Sequence, residues 1–208
     1  MLKLDLNKYR CALFDLDGVV FDSEPQYSVF WKKECGHYHP DKTGEEQRIK
    51  GMSLTEIFNT FFEKEKDEWQ SITERLNAWE VAMTYEYVDG FEDFVRYLRQ
   101  NGVKTAVVTS SNRTKMESVY RQRQDFTKLF DDILTAEDFD RSKPDPDCYL
   151  KGMARFGCAA EETVVFEDSV NGLKAGRASG ALLIGLSTTN PVEVVKEYTN
   201  IEIGRAHV

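Results

Sequence analysis

Cysteine is scarce in this chain. There are four in 208 residues, at positions 11, 35, 148 and 158, with no C-x-x-C spacing. Nothing there suggests a disulfide framework, and free thiols in a reducing cytoplasm are the simplest account. Histidine is scarcer. His37, His39 and His207 show no metal-ligand spacing, and His37 and His39 read as surface residues on a loop. No apolar run approaches the roughly 20 residues that a membrane helix needs, so a membrane is not an expected partner. The first ten residues alternate with Lys, Asp, Asn and Arg, which does not fit a secretory leader. Positive charge is in deficit: 27 Lys and Arg stand against 36 Asp and Glu, a net charge of -9 with no basic patch. Nucleic acid is therefore not an expected partner. Internal repeats and low-complexity segments are also missing.

What is present fits a globular protein with 41% hydrophobic and 30% charged residues, enough for one sizeable domain or a core with a smaller insert. The chain is organised around Phe14 to Asp22, FDLDGVVFD. An apolar run from Tyr9 to Leu13 reads as a buried strand, and Gly18 lets the backbone turn after it. Asp15 and Asp17 thus sit at the carboxyl end of a strand, two apart and on one face. Two close carboxylates repel unless a cation lies between them, and a hard cation such as Mg²⁺ suits oxygen ligands. Taken alone, the pair fits a solvated acidic turn equally well.

Three further stretches repeat this placement. Val103 to Val108 reads as a buried strand ending in Thr109-Ser110-Ser111-Asn112, before a helix from about Arg113 to Gln122. A hydroxyl followed by helix N-terminal N–H groups makes a phosphate cradle, although ordinary N-capping explains the same residues. In Ser142-Lys143-Pro144-Asp145-Pro146 the prolines hold an extended turn and Pro146 can open a helix, fixing a lysine that could face a phosphoryl group. Thr163 to Phe166 reads as a strand ending in Glu167-Asp168-Ser169, followed by a helix to about Ala178. Its two acids again lie at a strand end, where they could complete an octahedral Mg²⁺ site or merely favour a helix dipole. Ile133 to Thr135 and Ala181 to Gly185 are shorter strand candidates, and Pro191 to Tyr198 a short helix.

DLDGVVFDS (Asp15 to Ser23) resembles the first motif of the haloacid dehalogenase-like hydrolase superfamily, in the subgroup of β-phosphoglucomutases and phosphoglycolate phosphatases. VVTSS, KPDP and FEDSVNGLKAG resemble the second, third and fourth motifs, so the likeness spans roughly residues 8 to 186. It implies Asp15 as the nucleophile that becomes an aspartyl-phosphate and Asp17 as general acid and base. It implies Thr109, Ser110 and Lys143 on the phosphoryl group. Mg²⁺ would be held by Asp15, the Asp17 backbone and Asp168, with Glu167 binding directly or through water. The second Asp argues against the dehalogenase branch.

Residues 21–87 differ in texture and read as helices: Tyr27, Phe30 and Trp31 in one, Leu54, Ile57, Phe58, Phe61 and Phe62 in a second, and Trp69, Ile72, Leu76, Trp79, Val81 and Met83 in a third. The resemblance implies a helical cap there, hinged at about Val19 to Glu24 and Tyr87 to Gly90, with Lys50 before Gly51-Met52-Ser53 reaching the substrate. Close mutases carry Arg after the cap G-x-S, where this chain has Leu54. They carry His five residues after the first hinge Asp, where it has Tyr27. The expected fold is α/β: a Rossmann-like parallel sheet with helices on both faces, formed by residues 1–20 and 88–208, plus the all-helical cap. The expected function is a monomeric, cytoplasmic, Mg²⁺-dependent phosphatase acting on a small phosphorylated metabolite such as a sugar phosphate. The alternatives are a β-phosphoglucomutase-like transferase, a pyrophosphatase, or a non-catalytic phosphate-binding protein. Finally, Ile203 to Val208 is what a common sequencing adapter encodes in frame (ATC GGA AGA GCA CAC GTC). The expectation is that about residues 203–208 are not native and that a sheet edge is left uncovered.

Overall fold

In the computed structural model, which describes residues 5–199 and 201–204, a six-stranded parallel sheet runs in the order β3-β2-β1-β4-β5-β6. The strands are β1 Cys11–Phe14, β2 Lys104–Val108, β3 Asp132–Leu134, β4 Thr163–Glu167, β5 Leu182–Leu186 and β6 Ile201–Ile203. β1 lies at the centre, pairing Leu13 with Ala106 of β2 and with Val165 of β4. All strand neighbours are parallel, which requires a crossover between each pair and covers both faces.

The helices are α1 Glu24–Tyr38, α2 Glu45–Arg48, α3 Leu54–Phe61, α4 Trp69–Ala82, α5 Phe91–Gln100, α6 Arg113–Gln122, α7 Phe126–Leu129, α8 Asp147–Phe156, α9 Val170–Ala178 and α10 Val192–Val195. Alternation along the strands divides the core in two. Ala12, Phe14, Val107, Val164 and Phe166 pack on α5, α6 and α7 through Phe91, Val95, Met116, Val119 and Phe126. Cys11, Leu13, Ala106, Val108 and Val165 pack on α8, α9 and α10 through Tyr149, Met153, Leu173 and Val195. Each fully buried Leu, Ile or Phe contributes on the order of 1.5–3 kcal/mol. All four cysteines are unpaired thiols, three of them buried.

Between β1 and α5 the chain folds as α1 to α4 around a hydrophobic cluster of its own, containing Phe30, Trp31, Ile57, Phe58, Phe61, Phe62, Ile72 and Leu76. Pro25 lies in the first turn of α1, where its missing N–H costs nothing. Ser53 and Glu56 form a reciprocal capping box that starts α3. Arg75 of α4 donates to both oxygens of Glu34 of α1, at 3.0 Å and 2.7 Å. The chain enters and leaves this insert side by side: Phe21 bridges Tyr87 antiparallel, Asp22 N–H donates to Glu86 C=O at 2.9 Å, and Val88 N–H donates to Val20 C=O at 2.9 Å.

The fold departs from the sequence reading in three places. His37 is exposed but lies in the last turn of α1 and not on a loop, and His39 is not a surface residue. Its ring stacks on Phe62 and its nitrogens meet Glu45 at 2.7 Å and Glu65 at 3.6 Å. Val81, assigned to an apolar stripe, is 42% exposed, while Met83 is buried just past the end of α4. The edge of β5 is covered by β6, a short β-branched segment that polar neighbours disguised. Ile203 ends β6 and Gly204 follows it, whereas 205–208, including His207, lie outside the described residues. No helix among the described residues is long and apolar enough to cross a membrane.

Candidate active site

Every strand that carries a candidate residue ends on the same edge of the sheet. The backbone at Asp15 is held there by its N–H donating to Phe166 C=O at 3.0 Å, and at Thr109 by its N–H donating to Leu134 C=O at 3.0 Å. Above this edge, between the sheet and the helical insert, lies a cavity of about 450 Å³. Asp15, Asp17, Thr109, Ser110, Lys143, Asp168 and Lys50 all line it. Glu167 does not. It lies beneath, fully buried.

Lys143 is the centre of the floor. Its Nζ donates to Asp15 Oδ1 at 2.5 Å, to Glu167 Oε2 at 2.9 Å and to Val108 C=O at 3.3 Å. Glu167 is fully engaged by protein. Its Oε2 also accepts from the Tyr149 hydroxyl at 2.9 Å. Its Oε1 accepts from the Asp168 N–H at 2.9 Å and from the Ser169 N–H and hydroxyl, each at 3.1 Å. Gly172 of α9 is what allows this, because a Cβ there would fall 1.4 Å from Glu167 Oε2. Burial lowers the affinity of Lys143 for its proton, but the charges of Asp15 and Glu167 outweigh it and hold the group well above the usual lysine range.

Asp15 has the opposite problem. Burial, then the charge of Glu167, pushes its carboxyl up to about 7 against the pull of Lys143. Asp168 is likewise pushed well above the carboxylate range by burial and by its acidic neighbours Glu167 and Asp15. Three carboxylates thus face one ammonium. Asp168 Oδ2 accepts from the hydroxyls of Thr189 and Thr188, and Asn190 Nδ2 donates to the Asp168 C=O at 2.9 Å. Asp168 Oδ1, by contrast, is buried with no hydrogen-bond partner among the described residues. An oxygen of each of Asp15, Glu167 and Asp168 lies within 4.8 Å of the others. A buried orphan carboxylate oxygen beside uncompensated negative charge is what a hard divalent cation would satisfy. Gly18, at φ 76°, makes room for the Asp168 carboxylate itself: a Cβ there would come 1.9 Å from its Oδ2.

Asp17 faces a different set. Ser23 donates to its Oδ1 at 2.6 Å, and Ser111 to its Oδ2 at 3.4 Å. Its Oδ2 also meets the ammonium of Lys115, a residue of α6 to which the sequence reading gave no role. Thr109, 2% exposed, accepts from the Ser111 N–H at 3.0 Å, so its hydroxyl proton remains available to a ligand. Ser110 is exposed at the cavity mouth. Lys50 makes no hydrogen bond or ion pair among the described residues. Thr188, Thr189 and Asn190 were also missed. The strand-end rule applied to β5 would have found them.

Residues 12–186 match the family described as haloacid dehalogenase-like hydrolase. A phosphorylated carbohydrates phosphatase of Thermotoga maritima is 28% identical over 178 residues, covering 82% of each chain. A validoxylamine A 7'-phosphate phosphatase of Streptomyces hygroscopicus subsp. limoneus is 29% identical over 197 residues, covering 91% of each chain. Among solved structures, a family IA, variant 3 hydrolase of that kind from Entamoeba histolytica superposes with a TM-score of 0.80 at 20% identity, over 93% of this chain and 92% of that one.

Proposed function

The chain belongs to the haloacid dehalogenase-like hydrolase family, and from that premise we propose that it is a Mg²⁺-dependent phosphatase acting on a small phosphorylated metabolite. The observation that carries this reading is the convergence of Asp15, Asp17, Thr109, Lys143 and Asp168 on one cavity at the carboxyl edge of the sheet. Asp15 attacks phosphorus in line. A bond forms between its carboxylate oxygen and phosphorus as the bond to the leaving oxygen breaks, and Asp17 gives that oxygen a proton. Asp17 then takes a proton from the water that cleaves the aspartyl-phosphate, which regenerates Asp15 and releases phosphate. Lys143, the Thr109 hydroxyl and Ser110 hold the phosphoryl oxygens throughout. Asp15, the Asp17 backbone carbonyl and Asp168 would hold Mg²⁺, whose charge would screen the nucleophile from the phosphate. Glu167, its oxygens spent on Lys143, Tyr149 and Ser169, acts from beneath as the partner that fixes Lys143.

The helical insert is the cap of residues 21–87, and it sets the leaving group. Its cavity face mixes Tyr27, Trp31, Met52 and Leu54 with Ser28, Glu46, Asn77 and Glu80, a surface suited to a hydroxylated organic moiety such as a sugar. A mutase must grip a second phosphate there. No arginine lines the cavity among the described residues, Lys115 is committed to Asp17 and Tyr27, and only Lys50 remains. That favours hydrolysis over transfer between two positions of a sugar.

The test is inorganic phosphate release from a panel of sugar phosphates, nucleotides and pyrophosphate, run with Mg²⁺, with chelator, and with Asp15→Asn. Release that requires both the metal and Asp15 is expected. A folded protein that releases nothing from any member would overturn the reading.

A further inference from the structure

Lys115 lies in the first turn of α6, where a helix disfavours a cation. It is also 3% exposed, and a buried ammonium is tolerated only with close partners. Its partners come from three parts of the molecule. The ammonium meets Asp17 Oδ2 and donates to the Tyr27 hydroxyl of α1 at 2.6 Å. It stands 4.0 Å from Glu80 of α4 and 5.1 Å from the centre of the Tyr27 ring. The Tyr27 hydroxyl in turn donates to Glu80 Oε1 at 2.7 Å. A continuous chain therefore runs from the Asp17 carboxylate through Lys115 and Tyr27 to Glu80, and all four residues line the cavity.

We infer that Lys115 is the positioning residue for Asp17, and that Tyr27 and Glu80 of the helical insert complete its grip. The inference rests on the proposed role of Asp17 as general acid. Without Lys115, Asp17 keeps two hydroxyl donors among the described residues, Ser23 at 2.6 Å and Ser111 at 3.4 Å, and two such contacts leave the carboxyl plane free to swing. With it, the ammonium on Oδ2 fixes that plane and leaves Oδ1 as the oxygen that carries the acid proton, beside a Ser23 hydroxyl that can donate or accept. Lys115 keeps its own protons: the proton that reaches the leaving oxygen is the one on the Asp17 carboxyl, and it moves as the bond from phosphorus to that oxygen breaks.

Leaving-group dependence separates this role from a merely structural one. An alkoxide needs a proton in order to leave, whereas p-nitrophenolate departs as a stable anion. The value of kcat/KM reports every step up to formation of the aspartyl-phosphate and is blind to its hydrolysis, so the ratio between two esters with different leaving groups reports departure apart from the second half-reaction. The probes are p-nitrophenyl phosphate and the best alkyl substrate among glucose 6-phosphate, ribose 5-phosphate and glycerol 1-phosphate. For Lys115→Met the expected loss in kcat/KM is on the order of 10²-fold for the alkyl ester and under about threefold for the aryl ester. Lys115→Arg should recover part of the alkyl activity. Tyr27→Phe, which leaves Lys115 and Asp17 in place, should show the same selectivity at smaller amplitude, and it carries the test if Lys115→Met does not fold. Equal losses on both esters, or no loss, would overturn the inference. Asp17→Asn is the control. If it too fails to discriminate between the esters, the general-acid reading itself is wrong. If it discriminates while Lys115→Met and Tyr27→Phe do not, only the present inference falls.

Discussion

The floor and the wall of the cavity are built on opposite plans. On the floor, Asp15, Thr109, Lys143, Glu167 and Asp168 are each no more than 9% exposed, Lys143 ties Asp15 to Glu167, and Thr189 holds Asp168. On the wall, Lys50 and Asn77 are half-buried without a hydrogen bond among the described residues, and the Ser28 hydroxyl is buried without a partner. A floor of this kind is preorganised: its charges are fixed before any ligand arrives, so little reorganisation is needed during reaction. The wall has polar groups still to satisfy, and a ligand can satisfy them. The same phosphoryl chemistry can therefore be run on whatever leaving group the wall accepts.

The floor can be damaged without unfolding it. Asp15→Asn is nearly isosteric and should reduce phosphate release by at least about 10⁴-fold, with the circular dichroism spectrum unchanged. Equal activity would show that the floor is not where the chemistry happens. Next in size is stability. Lys143→Met leaves Asp15 and Glu167 facing each other in a buried site, and urea unfolding should show a loss of about 3–5 kcal/mol. The matching wall change, Lys50→Met, should fall within about 0.5 kcal/mol of wild type. Parity between the two would erase the distinction. In kinetics, Lys50→Ala should raise KM for a sugar phosphate by up to about tenfold with kcat little altered, since it removes binding rather than transition-state contacts. A fall in kcat alone would move Lys50 to the floor's side.

The smallest effect concerns the join between wall and floor. Glu56 caps α3 through Ser53 and accepts from Asn171 Nδ2 of α9 at 2.6 Å. Burial would raise its carboxyl, but the Ser53 N–H and hydroxyl and Asn171 outweigh that and lower it below the ordinary 4.5. A lowered folded-state value stabilises the ionised form, so this contribution is complete above about pH 4.5 and is lost as pH falls through the lowered value. Thermal midpoints should therefore converge for wild type and Glu56→Gln in acid and separate toward neutrality. A gap that does not depend on pH would show that the cap works by shape and not by charge.

The floor was more legible in the sequence than the wall. Asp15, Thr109 and Asp168 each lie just past a β-branched or apolar run and before a turn, and that local grammar places them at strand ends without knowledge of the fold, whereas Lys143 was marked by the prolines that follow it. The helical character of the insert was equally plain from the spacing of Ile57, Phe58, Phe61 and Phe62. Lys115 was not legible, because its partners are 88 and 98 residues away in the chain. The one local hint was a lysine in a helix's first turn. His39 was misjudged because a polar neighbourhood hid its stacking on Phe62, a contact only the folded insert creates. β6 was overlooked because three residues are too few to show a period.

The chain enters and leaves the insert at Phe21 and Tyr87, which bridge one another. Residues bridged across antiparallel backbone lie only about 5 Å apart, so the chain returns almost to the point it left. The helical insert is in that sense a cassette plugged into one socket. A tight turn could close the gap, and a different cassette could be seated there without re-threading the sheet. Exchange of the insert would leave the strand ends that carry Asp15, Thr109 and Asp168 as they are.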